Sequence, residues 1–286
     1  MFFVDPTLVI RCLTISALGG LLLAIGLRLS WAEVAKALKR SRLVLILAVN
    51  FAGVPLLAVA TAWAFQLGRD LTIGMILLAA APFAPVVPVF ARMARADLAL
   101  AAGLTALFPF LSAMLTPLVC MASLKAVSGG EGLQFEFLGV LGVLVATITL
   151  PLAAGVAVNH WKPVLAKTIL RPVEVFSEAV GALSLAFVTV VEFKTVLATG
   201  WKPLLAMGLV SELSLFAGYA VGGSTTGARR VVGLGTSNRN IALAVLVAIN
   251  SFPGTPVVGA VVANGLLLIL LGLLHVAWWR LKGSKT

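Results

Sequence analysis

The feature that leaves this chain the fewest folds is a series of nine apolar stretches joined by short polar segments. They run over residues 6–29, 43–67, 71–95, 99–121, 135–159, 172–193, 204–222, 229–250 and 256–279, here spans A to I. About twenty such residues wound as a helix cross the roughly 30 Å of hydrocarbon in a bilayer. Charged residues make up 11% of the chain and hydrophobic ones 61%, whereas a soluble domain carries about 25% charged. The expected fold class is therefore an all-α polytopic membrane protein with nine transmembrane helices.

The charges orient the spans. There are 21 Lys+Arg against 10 Asp+Glu. They occupy loops between apolar spans rather than one soluble face, which excludes a nucleic-acid partner. The A–B, C–D, E–F and G–H loops and the C-terminal tail collect fifteen, among them Lys36, Arg40, Arg95, Lys167, Arg171, Arg229, Arg230 and Lys285. The opposite side has Arg69, Lys125, Lys194 and Lys202. The positive-inside rule places the C-terminus in the cytoplasm and the N-terminus outside an inner membrane. Trp31, Trp63, Trp161, Trp201, Trp278 and Trp279 fall near span ends, where indoles favour the interface. Residues 1–5 lack the basic region of a signal peptide, so span A is expected to be retained. Cys12 and Cys120 lie in apolar spans and His160 and His275 stand apart, which suggests neither a disulfide framework nor a metal site.

Two spans are interrupted by their own residues. Span H carries Gly235-Thr236-Ser237-Asn238-Arg239-Asn240 at its centre. An arginine at mid-membrane costs roughly 2.5–3.5 kcal/mol even on lenient scales and therefore faces protein or a wet cavity. Gly233 and Gly235 weaken the helix ahead of the polar cluster, and a restart is expected near Asn240. Span C carries Pro82, Pro85 and Pro88, which remove three backbone donors. Each interrupted span has an intact neighbour on either side, B-C-D and G-H-I, and the two triplets run in opposite directions. That is the pattern of an inverted repeat with a binding site at the discontinuities.

With these residues in view the chain resembles the bile acid:sodium symporter superfamily. The resemblance rests on Ala81-Pro82 before a helix break, then Ala94-Arg95-Ala96-Asp97-Leu98-Ala99-Leu100 and Thr105. Asn240-Ile241-Ala242-Leu243-Ala244 and Asn50-Phe51-Ala52-Gly53-Val54-Pro55 extend it. It implies two crossed discontinuous helices in a core domain of two repeats, 43–122 and 201–281. A panel of 6–29 and 133–198 would face that core, with substrate between them. It also implies sodium sites, and here the chain departs. The family's ligand positions fall on Val87, Pro88, Ala101 and Gly235, none with a side-chain oxygen, and only Thr105 is kept. Sodium, like other hard cations, is held by oxygens. No cofactor is implied and sodium coupling is not expected; proton coupling is an open alternative.

The candidate transport residues are Asn240, Arg239, Asn238, Ser237, Thr236, Pro85, Pro88, Asn50 and Thr105. Arg239 stands where a relative carries the glutamine before the key asparagine. It acts as a tethered cation, locked against carbonyls or a carboxylate or else open to a substrate anion. Glu212, in span G where Asn50 sits in span B, either pairs with Arg239 or binds and releases protons. Arg11 is assigned no role. The expected function is secondary transport of an organic anion by alternating access, the anion bile-acid-like or a smaller carboxylate or sulfonate. The alternatives are an uncoupled facilitator or channel on the same scaffold, or a sodium symporter with altered ligands. An enzyme would need a nucleophile–base pair, a metal cluster or an Asp-rich phosphate motif, and a nucleotide-driven pump a phosphate loop; the sequence has none of these.

Overall fold

The computed structural model describes residues 5–30, 35, 39, 41–128 and 135–283. Trp31, Lys36, Arg40 and Lys285 lie outside the described residues. Every regular element among the described residues is helical. In chain order they are α1 (Pro6–Arg28), α2 (Leu43–Ala64), α3 (Arg69–Ala79), α4 (Val87–Met93), α5 (Leu98–Val127) and α6 (Phe137–Trp161). There follow α7 (Pro163–Val191), α8 (Phe193–Ala198), α9 (Trp201–Val221), α10 (Thr226–Ser237), α11 (Ile241–Ser251) and α12 (Val257–Gly283). Eight segments among the described residues are long and apolar enough to cross a membrane, with α10 and α11 forming one of them. Span C is not among the eight because it is divided into α3, 11 residues, and α4, 7 residues.

Side chains set the helix ends that frame the site. Asp97 begins α5 by accepting from the Leu100 amide at 3.0 Å. Thr225 begins α10 by accepting from the Ala228 amide at 3.2 Å, and Asn240 begins α11 through the Leu243 amide at 3.1 Å. Each satisfies a backbone donor that the first turn leaves without an intrahelical partner. Within α2 and α6 the winding loosens into single π turns, Val49–Gly53 and Val145–Thr149. Pro55 and Pro151 follow two residues after each. A proline supplies no amide hydrogen, so the carbonyl five residues before it has no π-type donor.

Helix α1 packs mainly on α6 and α7. Glycines allow the closest approach: a Cβ on Gly26 would stand 2.3 Å from the Leu152 carbonyl oxygen, and one on Gly155 would stand 2.3 Å from that of Leu23. Small residues drive helix association in lipid because apolar burial gives no advantage there. Helix α10 lies against α9, and α3 lies against α12. The α10–α11 segment is the most enclosed of the eight, 89% of its most apolar window being buried against 17% for α7. The polar interruption of span H therefore lies inside the helical assembly, and span F lies at its edge.

Three places differ most from the sequence expectation, the first being the end of α5, which runs six residues past 121 to Val127. Helix α7 begins nine residues before 172, so Lys167 and Arg171 ride exposed helical turns and Lys162 forms the E–F connection. Pro163 opens that helix, where a missing amide hydrogen costs nothing, and Pro172 is accommodated inside it. In span H the helix continues through Gly233 and Gly235 and ends only at Ser237. The glycines serve close packing rather than the break.

Candidate functional site

The two interruptions meet backbone to backbone. Asn238 and Asn240 are extended, as are few residues in an otherwise helical interior. The Ala84 amide donates to the Asn238 carbonyl at 3.1 Å, and the Asn240 amide donates to the Ala81 carbonyl at 2.8 Å. Each break thus satisfies groups freed by the other, as a lipid-embedded chain requires. On the C side the turn passes through Phe83 at φ 57°, a left-handed conformation rare for an aromatic residue.

Three consecutive carbonyls end α3, and each has a different donor. Arg239 Nη1 donates to Ala79 O at 3.1 Å. Thr116 Oγ1, from α5, donates to Ala80 O at 2.7 Å. The Asn240 amide takes Ala81 O. The C-terminal end of a helix carries partial negative charge, so a cation is favoured there. The same Nη1 donates to Asn50 O at 3.3 Å. That carbonyl is available because Val54 N bonds Val49 O and Pro55 has no hydrogen to offer. The Asn50 side chain, fully buried, donates to Ile46 O at 2.9 Å and to Thr236 Oγ1 at 3.0 Å. Arg239 keeps Nε and Nη2 enclosed with no protein acceptor, and Asn50 Oδ1 likewise has no donor.

Asn50, Thr236, Ser237, Asn238, Arg239 and Asn240 are therefore brought together, all buried. Some of them finish helix ends: Ser237 Oγ and Asn238 Nδ2 both donate to Leu234 O, at 3.3 and 3.0 Å. The Asn238 amide group lies against α12, where a Cβ on Gly272 would come within 2.9 Å of it. Pro85 and Pro88 are half-buried, Pro88 in the first turn of α4.

Glu212 does not join this cluster. Its Oε2 lies 3.2 Å from His275 Nε2, and His275 Nδ1 lies 2.8 Å from the Leu271 carbonyl. Of the two alternatives for Glu212, pairing with Arg239 is thus replaced by a pairing with α12, while carbonyls answer the guanidinium. The reason is geometric: α9 turns Glu212 toward α12 and presents Ser211, Ser214 and Gly218 to the interior.

The positions on which the family resemblance places sodium ligands lie in apolar surroundings. Val87 and Ala101 belong to one buried cluster with Phe83, Leu104, Phe108 and Val231. Phe83 stacks on Phe108 at 4.3 Å between ring centroids, and Phe108 on Phe51 at 5.7 Å. A Cβ placed on Gly235 would stand 2.0 Å from Phe83 Cζ. The ring occupies the space that any side chain at 235 would enter. Thr105 is apart from these, fully buried with an unpartnered Oγ1.

Thr105 lines a cavity of about 930 Å³ between the end of α1, the first turns of α5 and the α9–α10 turn. Arg28, Asp97, Gly223 and Thr225 also line it. Arg28 pairs with Glu174 of α7 at 2.8 Å. At the opposite end of α1, Arg11 Nη2 donates to Asn250 Oδ1 of α11 at 2.5 Å. Sequence reasoning missed Phe83, Thr116 and this Arg11 contact. Their roles depend on which helix faces them, and their local sequence carries no signal of that.

A family model for the sodium bile acid symporter family matches residues 15–200. The chain belongs to that family. Its members form a transporter family, and this chain is accordingly an integral membrane protein of that family. A curated relative is the "Probable sodium/metabolite cotransporter BASS3, chloroplastic" of Arabidopsis thaliana. It is 30% identical over 165 residues, which is 56% of this chain and 36% of the relative. The chain thus covers little more than a third of that relative's length. The family match takes in the α3–α4 interruption and ends before the α10–α11 interruption, so Arg239 lies outside it.

Proposed function

We propose that this chain is a secondary transporter that moves a small organic anion by alternating access, without sodium. In this reading residues 6–29 and 133–198 form a panel and residues 43–122 and 201–281 a core of two inverted repeats. Substrate binds between them. The supporting geometry is the cavity between α1 and the α5 and α9–α10 segments, together with the two interrupted helices that meet backbone to backbone. Carriers of this kind place half-helix ends at the substrate. The protein lies in an inner membrane with its N-terminus outside, as the basic loops indicate.

One observation carries the proposal: half of the Arg239 donor fork is bound to the ends of two other helices, and half has no protein acceptor. The bound half holds the crossing together, in the place a relative would give to a metal ion. The free Nε and Nη2 form the edge that takes a carboxylate or sulfonate in bidentate fashion. Thr105 and Asn240 supply further polar contacts. Sodium is disfavoured because Val87, Ala101 and the space over Gly235 are apolar and filled.

The test is uptake into proteoliposomes across a panel of organic acids, with sodium or choline outside. The expected result is saturable uptake that is equal in both. Arg239→Lys keeps the charge but not the planar fork, and loss of one charge-assisted hydrogen bond worth about 1.5–3 kcal/mol lowers uptake roughly tenfold or more. Arg239→Gln abolishes it. Uptake that requires sodium sinks the sodium-free reading. Accumulation against a gradient separates a carrier from the uncoupled facilitator, which the missing ion ligands keep as the second reading. Glu212→Gln measured across pH tests proton coupling: an unchanged pH profile excludes this side chain as the coupling group.

A further inference from the structure

Beyond the transport site, one end of the helical assembly carries a chain of cations stacked on aromatic rings. Arg229 Cζ lies 5.9 Å from the Tyr219 ring centre, and the Tyr219 and Trp279 rings lie 6.3 Å apart. Arg230 Cζ lies 5.4 Å from the Trp279 ring, and Lys282 Nζ 4.4 Å from the Trp278 ring. These residues come from the end of α9, the first turn of α10 and the last turns of α12. Among the described residues no carboxylate forms an ion pair with any of these three cations. The acidic neighbours are Asp97, which caps α5, and Glu212, which is engaged by His275 below Trp279.

We infer that this cluster is a binding site for an anionic phospholipid, with the phosphodiester held by Arg229, Arg230 and Lys282. Several physical features select a lipid over a soluble anion. Tryptophan and tyrosine at the ends of spans mark the headgroup level. The surface immediately below is apolar and exposed: Leu274 is 56% and Phe216 61% exposed. Acyl chains would cover that surface. Backbone contacts hold both arginines in place while leaving guanidinium donors free. Arg229 Nε donates to Gly223 O at 2.8 Å, and Arg230 Nη1 to Ala94 O at 3.0 Å. A guanidinium stacked on a ring keeps its edge available for an oxygen pair. The uncompensated charge supplies complementarity to a phosphate, and a cation near an anionic leaflet gains from its surface potential.

The experiment places the purified full chain in phosphatidylcholine nanodiscs containing increasing phosphatidylglycerol and measures by mass spectrometry the lipid retained after detergent extraction. Phosphatidylglycerol is expected to be retained preferentially over phosphatidylcholine, and the preference is expected to fall about fivefold for each cation removed. Lys282→Gln is the first variant, since its exposed side chain makes no structural hydrogen bond; Arg229→Gln is the second. A control, Lys162→Gln with Lys167→Gln, removes charge at the exposed start of α7 and should leave the preference unchanged. Equal retention of the two lipids by the unmodified protein overturns the proposal. So does an equal loss in the control, which would reduce the effect to net charge. Displacement of phosphatidylglycerol by inorganic phosphate at matched concentration would assign the cluster to a small anion and also overturn it.

Discussion

Arg239 and Phe83 divide the interior of the site between them. One is a charge held by carbonyls; the other is a ring that closes the space over Gly235. Both depend on close approach, which makes position 235 sensitive. Gly235→Ala places a methyl group 2.0 Å from Phe83 Cζ, within a cluster already filled. Overpacking of this kind costs about 1–3 kcal/mol, expected here as a lowered melting temperature. Phe83→Ala in the same background makes room for the methyl and should recover part of the loss relative to Phe83→Ala alone. Additive losses from the two substitutions would show that the ring and Gly235 do not share that space.

At the scale of an element, the π turn of α2 connects a sequence detail to the site. Pro55 withholds the hydrogen that would otherwise bind a carbonyl one turn before it, and Asn50 O turns to Arg239 instead. Pro55→Ala supplies that hydrogen and allows α2 to wind regularly. The helix itself should gain stability, since proline in a helix interior costs about 3 kcal/mol relative to alanine. Arg239 then loses one acceptor, so uptake is expected to fall while the melting temperature holds or rises. A fall in both would mean that Pro55 serves folding alone. The α1–α6 contact shows the same dependence on detail at another place: Gly26 and Gly155 let two backbones touch, and no side chain of either can take part.

For the whole molecule, the contacts of α1 define a state. The cavity of about 930 Å³ opens beside the end of α1, while Arg11 near its start is joined to Asn250 of α11. If helices α1, α6 and α7 move against the rest during transport, that hydrogen bond breaks in each cycle. Arg11→Cys with Asn250→Cys, in a background where Cys12 and Cys120 are serine, should be bridged by a bifunctional methanethiosulfonate reagent that spans the reach of the arginine side chain, and the bridge should stop uptake. Reduction should restore it. Undiminished uptake by the fully crosslinked protein would exclude relative movement at this contact.

The apolar periods alone decided that this chain is helical and embedded in a bilayer, because about twenty residues per crossing leave no other arrangement. Proline in span C and a polar cluster in span H marked where two helices stop, and the restart expected near Asn240 is where the structure begins α11, with Asn240 as its cap. The tertiary structure alone decided what those stops meet. Which carbonyl answers Arg239, which ring covers Gly235, and that Glu212 turns to His275 are contacts between residues far apart in sequence. Local chemistry sets the need for a partner; only packing sets which partner is within reach.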